Sequence, residues 1–322
     1  MILLRCYARI PDVFYHFTNG AIDIRFLPVF SYGFMVACGF LAAAIVVTRE
    51  LRRREALGVM PSLGERDGQL LWASDLVGDM VIICAIFGVL GSCLFNYLEA
   101  PDSYKDFWDH PVESLFSGLS VYGGMICAGF ALLAFSFWKK IKVPHLFDAL
   151  AYCFILANGI GRLGCQLSGD GDWGIVNLAP KPAFLPQFLW STHYAHNIVN
   201  EGVYIAGCVE EHCMQLADPV YPTPIYEFLE CTALFLLLHV LRKSLTNKPG
   251  MLFFIFSIGI GIQRYSIEQI RAVSDRDLYP VLGGLFKQAE LISIAMVIIG
   301  VAGVIGLQFY YRNQLKVGTE NG

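Results

Sequence analysis

Charge is what this sequence has least of. Only 16% of its 322 residues are charged while 56% are hydrophobic, and the mean hydropathy is +0.54. A water-soluble chain carries charge on about a quarter of its residues, so a soluble globular protein is excluded. Short alternating segments of the kind a transmembrane barrel needs are lacking as well, since the apolar runs are long and unbroken. No CxxC pair and no thiolate metal spacing occurs among the ten cysteines. The basic clusters are short and flank apolar runs, which gives nucleic-acid binding no support. The opening "MILLRCYARIPDVFYHFTNG" is too mixed for a cleaved signal peptide. The net charge of −4 decides little, because where the charges lie matters more.

What is present is a series of apolar stretches able to cross a hydrocarbon layer of roughly 30 Å at 1.5 Å per helical residue. Seven spans are predicted: Pro28 to Thr48, Leu76 to Tyr97, Leu115 to Trp138, Leu146 to Gln166, Ile225 to Leu241, Met251 to Ile270 and Ala289 to Tyr311. The fold class is therefore an all-α polytopic membrane protein, read as one membrane domain over residues 1–322. Cysteines inside the apolar runs, such as Cys38, Cys84, Cys127, Cys153 and Cys231, read as small apolar fillers of helix packing.

Charge asymmetry sets the orientation. "RELRRRE" after the first span, Lys139, Lys140 and Lys142 after the third, Arg242, Lys243 and Lys248 after the fifth, and Arg312 and Lys316 in the tail mark alternate connections. The second connection, "EAPDSYKDFWDHPVE", is acidic. By the positive-inside rule the basic side is cytoplasmic, so the N-terminus lies outside and the C-terminus inside. The largest connection, residues 167–224, then forms an extracytoplasmic head between spans four and five. It contains "FLPQFLW", which reads equally as a short interfacial helix or an ordinary loop, and a polar segment in which Cys208 and Cys213 have a disulfide open to them on an oxidising face.

A few ionisable residues sit where charge is costly. Arg162, in "NGIGRLGCQLSGDGDWG", lies toward the outer end of the fourth span, and a charge in hydrocarbon costs at least a few kcal/mol unless it faces the bundle interior or snorkels. Gly159, Gly161 and Gly164 around it allow close backbone approach and open space, and Asp170 and Asp172 follow at the membrane edge. The sixth span ends "RYSIEQIR", where Arg264, Glu268 and Arg271 fall within about 60° of one another on a helix. Such a face is either a structural ion-pair stripe or an anion site; beside Arg162 at the same depth the anion site is the stronger reading. Arginine forks match phosphate oxygens. "YPTPIYEFLE" places Glu227 one turn into the fifth span, where it answers a neighbouring arginine or a polar headgroup. The glycines and Tyr122 of "SGLSVYGG" read as a close-packed or substrate-facing wall, and Tyr32 suits belt anchoring as well as catalysis.

Together these segments resemble the prolipoprotein diacylglyceryl transferase family. The resemblance runs from "PVFSYGFM" to the last span and is carried by "SGLSVYGG", "NGIGRLGCQLSGDGDWG", "YPTPIYE" and "RYSIEQIR", in that order. It implies seven spans in the bacterial cytoplasmic (inner) membrane, a head region between the fourth and fifth, and an active site facing the extracytoplasmic leaflet. The implied reaction moves the diacylglyceryl group of phosphatidylglycerol to the lipobox cysteine thiol of a prolipoprotein signal peptide. It forms a thioether and releases glycerol 1-phosphate, with no cofactor and no metal. Arg162 and Arg264 fall on the family's essential arginines, Glu268 and Arg271 on the accompanying positions. Glu227, Tyr32 and Asp170 fall on the carboxylate ending the fifth-span motif, the early tyrosine and the glutamate after the signature arginine.

The departures from the family pattern are Tyr122 and Tyr221 in place of histidines, Cys165 and Ser168 in place of asparagines, Cys93 in place of a basic residue, and Ala289–Glu290 in place of glycine–glutamine. They leave the arginine–carboxylate scaffold intact and remove a histidine base. Tyr122 fills that place only with a much lowered pKa, and the loop histidines His193 and His196 are weaker alternatives. Two other classes stay open at this stage: a multi-span transporter, and a membrane protein that binds lipid without catalysis.

Overall fold

The protein's structure, a computed structural model, describes residues 5–66, 68–99, 120–272, 278–281 and 284–320. Eight α-helices make up most of them: α1 (Ile10–Phe17), α2 (Ser31–Ala56), α3 (Val77–Glu99), α4 (Val121–Trp138), α5 (Val143–Ser168), α6 (Thr223–Ser244), α7 (Met251–Glu268) and α8 (Gln288–Glu320). Helices α2 to α8 stand where the apolar runs predict spans. Among the described residues, five stretches are long and apolar enough to cross a membrane: Ser31–Ala56, Ala73–Leu98, Val143–Ser168, Thr223–Ser244 and Gln288–Gln314. The apolar part of α4 is shorter, Gly123–Trp138. The 18 residues of α7 carry Gln263, Arg264 and Glu268 toward their end, which dilutes the apolar character. The acidic second connection and the predicted beginning of the third span lie outside the described residues.

The chain divides into two compact units, Ala44–Leu150 and Met1–Ala43 with Ala151–Gly322. In Ala44–Leu150, α3 and α4 lie against each other at glycine. A Cβ on Gly91 would stand 2.5 Å from the Gly123 carbonyl, so only glycine allows this approach. A buried ionic cluster explains why α2 continues well past Thr48 into "RELRRRE". Arg54 Nε lies 2.9 Å from Glu50 Oε1, and its Nη1 lies 3.0 Å from His145 Nδ1 and 3.4 Å from Asp148 Oδ2. Charges with so little access to water persist only when paired. A small antiparallel hairpin, β1 (Gly64–Arg66) with β2 (Gln69–Leu71), precedes α3.

The other unit holds α6, α7 and α8 and the folded head. Ser257 Oγ on α7 donates to the Met296 carbonyl of α8 at 2.9 Å, a polar tie between two apolar helices. Cys6, Trp173, Tyr194, Leu216 and Val220 form the head's own small core. The buried Tyr194 hydroxyl donates to Gln166 Oε1 at 2.7 Å, fastening that core to the C-terminal end of α5. Arg5 bridges to Ala195, so the N-terminal segment joins the head. The short pair β3 (Val203–Tyr204) and β4 (Met214–Gln215) closes its far edge, and Cys208 and Cys213 form a disulfide. The helical reading of "FLPQFLW" comes down to one 3₁₀ turn, Gln187–Leu189. Pro186 supplies no N–H and disfavours helical backbone at Leu185, so the helix cannot begin earlier. A hairpin of β5 (Leu278–Val281) and β6 (Gly284–Lys287) leads from α7 to α8.

Candidate functional site at the arginine–carboxylate node

The C-terminal end of α5 is built to hold one arginine between helices. A Cβ on Gly159 would meet Cys231 of α6 at 2.9 Å and one on Gly164 would meet Tyr32 of α2 at 3.3 Å, while Gly161 faces open space. Two glycines therefore bring neighbouring helices in, and the third leaves room beside Arg162. Beyond Ser168, Gly169 and Gly171 take φ of +64° and +98°, conformations that L side chains resist, and turn the chain back on itself.

That turn delivers Asp172 to the centre of the site. Its Oδ2 accepts from Arg162 Nη1 at 2.5 Å, and its Oδ1 pairs with Arg271 Nη2. Its backbone is fixed from both sides. The Asp172 carbonyl accepts from Thr223 Oγ1 at 2.6 Å, Gly174 N donates to Tyr221 O at 2.9 Å, and Ile175 N donates to Ile270 O at 2.8 Å. A side chain at Gly174 would place Cβ 2.7 Å from the Ile270 carbonyl, so the strap closes only with glycine there. One short segment thus joins the start of α6 to the end of α7.

Glu227, in the second turn of α6 and 1% exposed, pairs with Arg162 Nε at 2.7 Å. The charges of Arg162, Arg264 and Arg271 all reach its carboxylate, which links the two arginine-bearing helices in one ionic node. On α7, Arg264 Nη2 lies 3.2 Å from Glu268 Oε2. Three buried atoms of the node, Glu227 Oε1, Arg264 Nη1 and Glu268 Oε2, have no hydrogen-bond partner among the described residues. Lys287 reaches Glu268 from β6: its Nζ donates to the Glu268 carbonyl at 2.6 Å and lies 3.8 Å from Oε1.

The structure therefore brings together Arg162, Arg264, Glu227, Glu268 and Arg271. Tyr32 stands at the beginning of α2 within electrostatic reach of Arg162, Asp170 and Asp172. Asp170 is placed beside the node, not in its ion pairs. It hydrogen-bonds the Cys165 thiol, and burial, helped by the neighbouring Asp172 charge, raises its carboxyl above the ordinary range. The Tyr122 side chain lies outside the described residues. Tyr221 packs edge-on against Trp190 at 6.3 Å between centroids. His193 and His196 are occupied in the head, at 3.0 and 2.8 Å from the carbonyls of Leu216 and His212.

Sequence reasoning left two members out of the site. Asp172 is two positions from Asp170, and spacing alone does not say which carboxylate turns inward. Lys287 had a usable signal: it is a lone lysine just before the last apolar run. The Cys165 thiol and the Asp170 and Asp172 carboxylates lie within 4.8 Å of one another. Both Asp172 oxygens are taken by guanidinium groups, whose charge opposes a cation there. Fixed guanidinium groups, one unpaired donor and two unpaired acceptors suit an anion that also carries hydroxyl groups.

Comparison with known proteins agrees with this chemistry. The sequence model described as "Prolipoprotein diacylglyceryl transferase" matches residues 19–306. Among similar relatives is the phosphatidylglycerol–prolipoprotein diacylglyceryl transferase of Clostridium novyi (strain NT), 27% identical over 243 residues, or 75% of this chain and 83% of the relative. Transferase 1 of Clostridium perfringens (strain 13 / Type A) is 26% identical over 292 residues, covering 90% and 92%. That of Staphylococcus aureus (strain Newman) is 26% identical over 305 residues, covering 94% and 92%.

Proposed function

Because the chain belongs to the prolipoprotein diacylglyceryl transferase family, whose sequence model spans residues 19–306, we propose that it moves the diacylglyceryl group of phosphatidylglycerol to the lipobox cysteine of prolipoproteins. Membership makes it a transferase of lipoprotein biosynthesis, and its apolar helices fit a membrane protein. The observation that carries the finer reading is the node itself: guanidinium groups from α5 and α7 share buried carboxylates and leave Arg264 Nη1 and Glu227 Oε1 without partners.

In this reading α2 to α8 are seven spans of one membrane domain, with residues 167–224 as an extracytoplasmic head. The alternating basic connections support an outer N-terminus. The Cys208–Cys213 disulfide supports an oxidising location for the head, so the node faces the outer leaflet of a bacterial cytoplasmic membrane.

The thiol sulfur attacks the glyceryl carbon that bears the phosphate. A C–S bond forms as the C–O bond breaks, and the electron pair leaves on the phosphate of glycerol 1-phosphate. Arg264 offers Nη1 to the phosphate and stabilises the charge that develops on it. Arg162 favours the thiolate, with Arg271 sharing Asp172 and adding positive charge. Glu268 orients Arg264, Glu227 Oε1 accepts a headgroup hydroxyl, and Tyr32 borders the opening. Asp170 receives the thiol proton: it already accepts a thiol hydrogen bond, and no guanidinium is paired to it. Tyr122, by its sequence position, belongs to the substrate-facing wall.

In sealed right-side-out vesicles containing phosphatidylglycerol, an added lipobox peptide is expected to gain one diacylglyceryl mass at its cysteine. No gain overturns the function, and gain only after permeabilisation reverses the orientation. The pH profile of the same assay tests Asp170. Only its ionised form accepts a proton, and its pKa is raised, so kcat should climb with pH along a limb above the ordinary carboxylate value of about 4. Asp170→Asn should abolish that limb and slow transfer about 10²-fold. A variant that keeps the limb removes Asp170 from proton transfer.

A further inference from the structure

The ion pairs of the node balance too well for an anion site. Arg162, Arg264 and Arg271 face Asp172, Glu227 and Glu268, three cations against three carboxylates. Asp170, when ionised, adds a fourth carboxylate beside them. A net-negative cluster in a low-dielectric setting repels a phosphate, however well its donors are aimed. Something must offset the buried carboxylates before Arg264 is free to act on an anion.

We propose that Lys287 is a positioning residue that supplies this charge. It acts through Glu268 to leave Arg264 available to the lipid phosphate. The inference rests on reading the node as the phosphatidylglycerol site, and it adds a residue that neither spacing nor motif assigns to that site.

Glu268 is 3% exposed and lies between two cations, Arg264 at 3.2 Å on Oε2 and Lys287 at 3.8 Å on Oε1. Lys287 puts a second cation within ion-pair distance of the Glu268 carboxylate, so Arg264 faces it through Nη2 alone, and Arg264 Nη1 has no hydrogen-bond partner among the described residues. Lys287 also donates to the Glu268 carbonyl at 2.6 Å, at the end of α7, where helix carbonyls favour a cation. Its own place is fixed by Glu290, the residue that stands where the family has glutamine. Glu290 Oε2 accepts the Lys287 backbone N–H at 2.9 Å, and Oε1 accepts Gln269 Nε2 at 2.8 Å. Glu290 thus holds the end of β6 against the last turn of α7, and the ammonium follows.

The test uses the purified full-length protein in lipid discs with varied phosphatidylglycerol content and a lipobox peptide. Lys287→Met is expected to raise KM for phosphatidylglycerol about tenfold, with kcat within about twofold of the parent. Lys287→Arg, which keeps the charge, should stay near the parent. Lys287→Gln, which keeps a donor without charge, should follow Met. The inference is overturned by an unchanged KM in the Met and Gln variants, by Gln behaving as the parent, by Arg behaving as Met, or by a loss confined to kcat. Failure of both neutral variants to fold overturns it too, because it assigns Lys287 to stability. Retention of phosphatidylglycerol over phosphatidylcholine on the detergent-purified protein, measured by native mass spectrometry, separates this from the function. A parent that binds the anionic lipid through Lys287 but transfers nothing keeps the inference and removes the proposed reaction.

Discussion

Arg162→Ala is expected to lower transfer to the lipobox peptide by about 10³-fold and to destabilise the protein in the same step. The second effect follows from Glu227, which is 1% exposed and has Arg162 Nε as its direct ion-pair partner at 2.7 Å. Removing one partner of a buried pair leaves an uncompensated charge and costs about 3–5 kcal/mol. The two effects are separable. In Arg162→Ala with Glu227→Gln the orphaned charge is gone, so thermal stability should recover most of the loss while transfer does not return. Arg162→Lys adds a finer comparison. A single ammonium cannot reproduce both the Nε contact to Glu227 and the Nη1 contact to Asp172. It should fold better than the alanine variant and still transfer about 10²-fold more slowly than the parent. A folded Arg162→Ala protein with near-parental transfer would take this arginine out of the chemistry.

Arg162 could be found from sequence because its signal is local: a charge inside an apolar run has few explanations. The same reasoning reached Glu227, Arg264 and Glu268, each a charge near the end of a span. The helices were legible for the complementary reason, since an unbroken apolar run of about 20 residues specifies a helix by length alone. Where the fold escaped sequence, distant partners decide it. Helix α2 outruns its apolar stretch because Arg54 finds Asp148 and His145 far along the chain. The head's core joins Cys6 to Trp173 and Tyr194, a set with no periodicity to read. The short α1, 8 residues long, has too few turns to show a pattern against its mixed flanks.

The site divides the same way. Asp170 and Asp172 are equivalent on paper, and the choice between them is made by Gly171 and by hydrogen bonds from Thr223 and to Ile270, residues 51 and 95 positions from Asp172 and Ile175. Asp172 therefore becomes the bridge between two arginines, and Asp170 is left with the thiol. Lys287 is a further case of long-range placement, since its ammonium meets Glu268 only because a hairpin folds it back onto the end of α7.

Arg264→Ala should separate catalysis from lipid binding. Arg264 sits in the last two turns of α7, with one nitrogen on Glu268 and the other, Nη1, buried without a partner. A donor already desolvated and fixed costs little reorganisation when charge develops on a departing phosphate, and loss of one such donor typically costs about 10²–10³ in kcat. The expected result is a kcat loss of that size, with KM for phosphatidylglycerol changed by less than about tenfold because Arg162, Arg271 and Lys287 still attract the anion. Lys287→Met predicts the opposite pattern, a KM effect with kcat nearly intact, so the pair forms an internal control in one assay. Stability should respond less to Arg264→Ala than to Arg162→Ala, because Glu268 keeps Lys287 as a cation whereas Glu227 loses its direct partner. Arg264→Lys should recover part of kcat at most, since a point charge held by Glu268 does not present a second donor to the phosphate. If Arg264→Ala raises KM and leaves kcat intact, the leaving-group role passes to another residue, and Arg264 becomes one more attractor of the lipid anion.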